Sequence, residues 1–208
     1  PEAAQLFVEA ASHLIVHARY KRAEFLLLRA REIQRILKAS HLTIARTLND
    51  LGGLYLNWGR YQEAEPWLQE ALALRLRELG KEHLDVAQTC YNLASLYRSQ
   101  GTYEKAEPFY LQALQIREAI LGANHLLVAQ SYYGLAKLYL SQEKYYPAEE
   151  VCKQALHIRE QHFEEKPRML ASTLSVLAKI YVRQEKLNQA EKMNKRALQI
   201  REHASGKD

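Results

Sequence analysis

The sequence has few of the residues that interrupt helices or cross-link loops. Its 208 residues include 8 glycines and 5 prolines, too few for an all-β fold that turns every ten residues or so. The two cysteines, Cys90 and Cys152, cannot form a disulfide framework and favour a reducing compartment. No uncharged apolar run reaches the roughly 18 residues that a membrane span requires. We therefore expect a cytoplasmic protein with no role at a membrane.

A large excess of one charge is also missing. The net charge is +5, from 29 basic and 24 acidic residues, and 48% of the residues are hydrophobic. This composition is globular and excludes a disordered chain. Residues 1–40 carry 7 basic against 4 acidic residues and residues 167–208 carry 9 against 4, so the positive charge lies at the two ends. Soluble terminal caps are the favoured interpretation. Nucleic-acid binding is not expected, because no aromatic platform accompanies the charges.

What the sequence does contain is a repeat with an offset of 42 residues. Residues 20–33 form an additional copy at an offset of 41. Such regularity is typical of a stacked array. Four of the recurring columns are His41, His83, His125 and Pro167; Tyr55, Tyr97, Tyr139 and Tyr181; Glu65, Glu107, Glu149 and Glu191; and Arg75, Arg117, Arg159 and Arg201.

Each unit reads as two helices. Apolar residues spaced three or four apart run from Ala45 to Tyr55 and again from Ala64 to Leu74, with a break at 57–60 between them. One such pair cannot bury its own apolar stripe, whereas stacked pairs can. We therefore predict an all-α, right-handed α-α superhelix of five helix pairs, or ten antiparallel helices. The predicted units of this single domain are 1–40, 41–82, 83–124, 125–166 and 167–208.

The motif within each unit resembles the tetratricopeptide repeat (TPR). A first helix with Leu, Gly or Ala, and Tyr is followed by Gly-x-Tyr-x-x-Ala, as at 59–64, and a later Ala-Leu. The family period is about 34 residues, and the longer unit here resembles the repeats of kinesin light chains and of similar bacterial proteins. This resemblance implies a non-enzymatic scaffold that binds a protein or peptide. The adjacent asparagines typical of light chains are replaced, for example by Asn49-Asp50 and Tyr91-Asn92, so their cargo preference is not transferred.

A partner is expected in the concave groove, which the first helix of each pair lines. Positions off the apolar stripe vary between units and combine amides, tyrosines and cations. These types hydrogen-bond a peptide backbone, supply apolar area and pair with carboxylates, so we predict an acidic segment as ligand. The alternative is a solvated face on which Tyr91 and Tyr133 pack between units. The candidate peptide-binding residues are Arg46, Asn49, Gln88, Tyr91, Asn92, Ser95, Arg98, Gln130, Tyr133, Lys137 and Lys179.

No arrangement of residues predicts catalysis, a metal site or a cofactor. The column histidines lie in different units, at least one helix spacing of about 8–10 Å apart, so they cannot share one zinc ion and are expected at helix starts. The cysteines lack an activating base and are expected in the core. Because the Glu and Arg columns recur identically in every unit, we expect them to clamp adjacent helix pairs.

Two further interpretations stay open. The chain begins at Pro1, so we expect a piece of a longer protein, and it could be the sensor or regulatory segment of a larger signalling NTPase. Self-association through the terminal helices is the other alternative, since a stack has two open ends.

Overall fold

The computed structural model describes residues 2–164 and 166–205, and within these ranges it contains ten α-helices and no strand. The predicted five helix pairs are thus confirmed. The helices are α1 (Glu2–Val16), α2 (Tyr20–Ile36), α3 (His41–Trp58), α4 (Tyr61–Leu79), α5 (Leu84–Ser99), α6 (Tyr103–Leu121), α7 (Leu126–Ser141), α8 (Tyr145–Gln161), α9 (Pro167–Arg183) and α10 (Leu187–Ser205).

Side chains of the histidine column start two of the first helices. Nδ1 of His83 and Nδ1 of His125 each accept a hydrogen bond of 3.0 Å from the backbone N–H two residues further on. This is the N-cap interaction that satisfies an otherwise unpaired helical donor. In α3 the cap is Ser40, whose Oγ accepts from the Thr43 N–H at 3.3 Å, and His41 is the first helical residue. The helix-start role is therefore confirmed, with Ser40 replacing histidine as the cap of α3.

Glycines follow the last residue of two of the second helices. Gly80 and Gly122, which follow α4 and α6, have φ values of +75° and +81°. Side chains with a Cβ rarely adopt this region, whereas glycine enters it without steric cost.

The chain divides into two compact units, Pro1–Phe109 and Tyr110–Asp208. In the first unit α1 packs on α2 and α3 on α4, while α3 also contacts α1 and α5. In the second unit α7 packs on α8 and α9 on α10, while α7 also contacts α9. Within each unit, the first helices of successive pairs therefore lie side by side and form one face. The prediction that the whole chain is one domain stays a prediction.

A glycine allows close contact between α3 and α4 in the first unit. A Cβ on Gly52 of α3 would lie 2.4 Å from Cγ of Leu68 in α4, far inside van der Waals contact. Leu68 is fully buried, so its side chain fills the space that glycine leaves. At the neighbouring Gly53 a Cβ would meet no atom within 4 Å. The two adjacent glycines thus have different roles, and only Gly52 is required by packing.

Candidate functional site

Buried arginines fix the first helices in place. Nη1 of Arg75 in α4 donates to the Asp85 carbonyl at 2.7 Å and to Oγ1 of Thr89 at 2.6 Å, both in α5. Arg117 and Arg159 make the same two bonds to the residues 10 and 14 positions further on. Burial lowers the pKa of Arg75, and nearby carboxylates oppose that shift. These bonds tie a second helix to the first helix of the next pair, which confirms the predicted clamp.

Glutamates of the second helices provide another link of the same kind. The Tyr55 hydroxyl donates to Oε1 of Glu24 at 2.6 Å, and the Tyr97 hydroxyl donates to Oε1 of Glu65 at 2.9 Å. Both tyrosines belong to first helices and both are buried. The glutamate and tyrosine columns are thus each other's partners in the first unit, a pairing that the repeat alone did not reveal.

The two ends of the arginine column depart from the pattern. Arg201 in α10 is exposed and donates to Oγ of Ser175 at 2.7 Å. At the other end, the offset of 41 places Gln34 of α2 in the column, and its Nε2 donates to Oγ1 of Thr47 at 2.9 Å. Gln34 was not singled out from the sequence, although the offset would have identified it.

On the first unit, three predicted site residues form one hydrogen-bonded group. Nδ2 of Asn92 in α5 donates to Oδ1 of Asn49 in α3 at 3.0 Å, and Nε2 of Gln88 donates to Oδ1 of Asn92 at 3.3 Å. Asn49 is buried, while Gln88 and Asn92 are half-buried. We call the surface formed by Arg46, Asn49, Gln88, Tyr91, Asn92, Ser95 and Arg98 the α3–α5 face.

The same two helices carry the cations Arg46 and Arg98. Arg46 is exposed, and Arg98 is half-buried with no hydrogen-bond partner for its Nε among the described residues. Asp50, one turn beyond Arg46, has its pKa raised by burial, against the opposing effect of the Arg46 charge. The α3–α5 face thus carries two guanidinium groups and three amides, of which the Asn49 amide is buried.

The second unit presents Gln130, Tyr133 and Lys137 on α7 and Lys179 on α9, which we call the α7–α9 face. The Tyr133 ring packs on the core of this unit, with the Arg159 guanidinium carbon 4.6 Å from its centroid. Nζ of Lys137 lies 5.5 Å from the same centroid, and Lys179 is exposed. Tyr133 therefore has the packing role that the alternative interpretation gave it, and the lysines carry the charge of the α7–α9 face.

Reactive groups are few in the described part of the chain. Within it, no three His, Cys, Asp or Glu side chains are placed to hold a metal ion. Cys90 and Cys152 are buried free thiols, and burial raises the pKa of Cys152 to about 12, so its reactive thiolate form is suppressed. Among the helices described here, none is long and apolar enough to cross a membrane.

Comparison with known proteins gives the same architecture. A tetratricopeptide repeat model matches residues 2–77, 43–119 and 85–161, and a second tetratricopeptide repeat model matches residues 170–208. The chain belongs to the tetratricopeptide repeat family. The predicted all-α fold class, an array of TPR helix pairs, is therefore confirmed. Such a fold is typically a scaffold for protein interaction rather than a catalytic unit.

Solved TPR structures superpose closely on the chain. BtubC (BKLC) from P. vanneervenii is 25% identical with a TM-score of 0.80, over 99% of this chain and 91% of that chain. Nearly identical TPR-like repeats of a protein assigned as a kinesin light chain, from Podosopora anserina, are 20% identical with a TM-score of 0.75, over 96% and 95%. The resemblance to kinesin light chain repeats is thus confirmed.

A Rap protein complexed with Competence and Sporulation Factor also matches. It is 18% identical with a TM-score of 0.83, and the match covers 95% of this chain and 54% of that chain. No curated protein sequence matches the chain. These structures establish the TPR fold, and the identity of a partner has to be argued from the chain's own residues.

Proposed function

We propose that this TPR chain is a non-enzymatic scaffold whose first-helix faces bind a protein or peptide segment that carries carboxylates. The observation that carries the proposal is the amide group of Asn49, Gln88 and Asn92, which bridges α3 and α5. The same two helices carry the cations Arg46 and Arg98. Amides placed in this way hydrogen-bond the backbone of a bound segment, and the cations pair with its acids.

Electrostatics support an acidic ligand in both units. On the α3–α5 face Arg46 is exposed, whereas the acidic residue Asp50 is half-buried and its pKa is raised by burial. On the α7–α9 face, Lys179 is exposed and Lys137 is half-buried beside Tyr133. A lysine ammonium on a flexible stem can move from an aromatic ring to a carboxylate at small cost.

The Rap structure gives independent support for this mode of use. That protein, which shares the TPR fold, was solved in a complex with Competence and Sporulation Factor. A fold of this kind therefore accommodates a bound factor. Carboxylate recognition by the present chain rests on its own side chains, since the shared identity is 18%.

The test is a selection of random displayed peptides on the purified protein, with the fraction of Asp and Glu in the selected peptides as readout. We expect acidic residues to be enriched. The double variant Arg98→Glu with Lys137→Glu changes one cation on each face, and we expect it to bind the selected peptides at least about tenfold more weakly. Affinities are measured by fluorescence anisotropy at two salt concentrations, because ion pairing weakens as salt rises.

A matched control is the double variant Lys21→Glu with Lys192→Glu. It makes the same charge change, once in each unit, on exposed positions of the second helices α2 and α10. We expect it to bind as the unmodified protein does, with unchanged helicity and thermal midpoint in all variants. Equal loss of affinity in the two double variants would mean that only net charge matters and would refute the assignment of the faces.

A further inference from the structure

A cleft of about 250 Å³ opens in the first unit between α1, α2 and the start of α3. Ala4 and Leu37 supply apolar walls, and Gln34, Ser40 and Thr43 supply polar atoms. Gln34 is only 4% exposed, and its Oε1 has no hydrogen-bond partner among the residues that the structure describes. A buried carbonyl oxygen without a donor destabilises the protein, so a ligand that donates a hydrogen bond to it would bind more tightly.

The other helix pairs show which chemical group this position accommodates. Gln34 occupies the place of Arg75 at an offset of 41. Arg75 donates to the hydroxyl of Thr89 and to the Asp85 carbonyl. The counterpart of Thr89 is Thr47, which already accepts from Gln34. The counterpart of Asp85, at an offset of 42, is Thr43, one of the residues that line the cleft.

Glutamine is shorter than arginine. Among the described residues, Gln34 therefore donates to the Thr47 hydroxyl and not to the Thr43 carbonyl. In the later pairs a guanidinium group joins the equivalent two acceptors. The cleft thus lies at the position where those pairs hold a guanidinium group, and the Thr43 carbonyl, which corresponds to the acceptor in those pairs, lies at its wall. It adds a second acceptor, the Gln34 Oε1, which the arginine-containing pairs do not have.

We propose that this cleft binds the guanidinium group of an arginine side chain presented by a peptide. A planar guanidinium has five N–H donors in a fixed fork and can reach two carbonyl oxygens in different directions, which a lysine ammonium does not match. Gln5 lines the cleft and donates its Nε2 to Oε1 of Glu9 at 2.8 Å, so the Glu9 carboxylate lies one side chain away from the cleft wall. The proposal is independent of the carboxylate-binding faces, because it concerns other residues and the opposite charge.

The experiment titrates Nα-acetyl-arginine amide into the ¹⁵N-labelled chain and follows the backbone amide signals of Ser40, Thr43 and Thr47. We expect saturable shifts with half-saturation on the order of 1–10 mM, as suits a single side chain. Parallel titrations use the acetyl amides of citrulline, lysine and aspartate. Citrulline has the shape of arginine without its charge, and we expect all three probes to bind at least about tenfold more weakly.

The decisive variant is Gln34→Arg, which would fill the cleft with the chain's own guanidinium. Gln62→Arg is the matched control, because it adds the same charge at an exposed position of α4. We expect Gln34→Arg to abolish the shifts caused by the arginine probe and to melt at a higher temperature than Gln62→Arg, which keeps the shifts.

Four results would overturn the proposal. They are the absence of saturable shifts with the arginine probe, equal binding of any of the other three probes, retention of the shifts in Gln34→Arg, and a lower melting temperature or unfolding of that variant relative to Gln62→Arg. The last result would show that the cleft does not accept a guanidinium even when the chain itself supplies it.

Discussion

The adjacent glycines of α3 allow packing and helix propensity to be separated by a single methyl group. A methyl group at position 52 would lie 2.4 and 2.5 Å from Cγ and Cδ2 of the buried Leu68, whereas at position 53 it would meet nothing within 4 Å. In either helical position, alanine in place of glycine gains about 0.5–1 kcal/mol of stability. Overpacking a core by one methyl group costs about 1–3 kcal/mol.

Adding these effects gives opposite signs for the two variants. We expect Gly53→Ala to stabilise the first unit by about 0.5–1 kcal/mol. We expect Gly52→Ala to destabilise it by up to about 2 kcal/mol, since the steric cost exceeds the gain in propensity. The assay is urea unfolding followed by circular dichroism, with the midpoint and the slope compared between the variants so that a change in cooperativity is recognised.

A double-mutant cycle identifies the cause. Leu68→Ala alone should cost about 2–5 kcal/mol through the cavity it creates. Combined with Gly52→Ala it should cost less than the sum of the single changes, because the added methyl group then occupies part of that cavity. If Gly52→Ala proves as stable as Gly53→Ala, or if the cycle is additive, the close approach of α3 and α4 is not the reason for the glycine.

Two further predictions concern charged side chains of the second unit, the buried Arg117 and the half-buried Glu149. Arg117→Met keeps the bulk of the side chain and removes its hydrogen bonds to the Leu127 carbonyl (3.1 Å) and the Ser131 hydroxyl (2.8 Å). We expect the free energy of unfolding, measured in urea, to fall by about 2–4 kcal/mol. Desolvation raises the pKa of Glu149. Hydrogen bonds donated by Lys153 and Lys186 have a larger, opposite effect, and the pKa is lowered to about 2. Because the folded-state pKa lies below the unfolded one, Glu149→Gln should cost about 1–2 kcal/mol near pH 7 after allowance for solvent screening, and the difference should vanish in unfolding curves as the pH falls from about 4.5 to about 2.

Exposed residues of the same type serve as controls for these two changes. Arg22→Met alters an exposed position of α2, and Glu150→Gln alters the exposed residue next to Glu149. Each should change the free energy of unfolding by less than about 0.5 kcal/mol. A loss in Arg117→Met no larger than in Arg22→Met, or a Glu149→Gln difference that persists unchanged at pH 2, would contradict the roles assigned to these side chains.

The repeat made the fold predictable. An offset of 42 residues identifies which side chains are equivalent in successive repeats. Residues that recur identically in every repeat are explained by contacts between adjacent helix pairs. The clamp by Arg75, Arg117 and Arg159 follows this logic, and so do the caps at His83 and His125. Where the residue type differs between equivalent positions of the repeat, the role of a residue is harder to predict. Ser40 replaces histidine as the cap of α3 because it precedes the helix and brings its own acceptor.

The candidate site was predictable only in part. Periodicity places Asn49 and Asn92 on first helices, but their hydrogen bond depends on the lateral distance between α3 and α5, which no single-helix pattern contains. Tyr133 shows the limit of using variation between repeats. The residue type at its position differs from repeat to repeat, as expected of a ligand-binding position, yet its ring packs against Arg159. Variation between units therefore identifies surface positions without separating those that meet a partner from those that fill a gap.

The arginine clamps have a consequence for how the chain opens. Each one reaches only to the next helix pair, 10 to 14 residues ahead, so the loss of one link leaves more distant links intact. In such nearest-neighbour arrays, melting proceeds stepwise from the weakest boundary instead of everywhere at once. The boundary between α2 and α3 has an amide, Gln34, where the others have a guanidinium. Thermal fraying of the array should therefore start with the hairpin of α1 and α2.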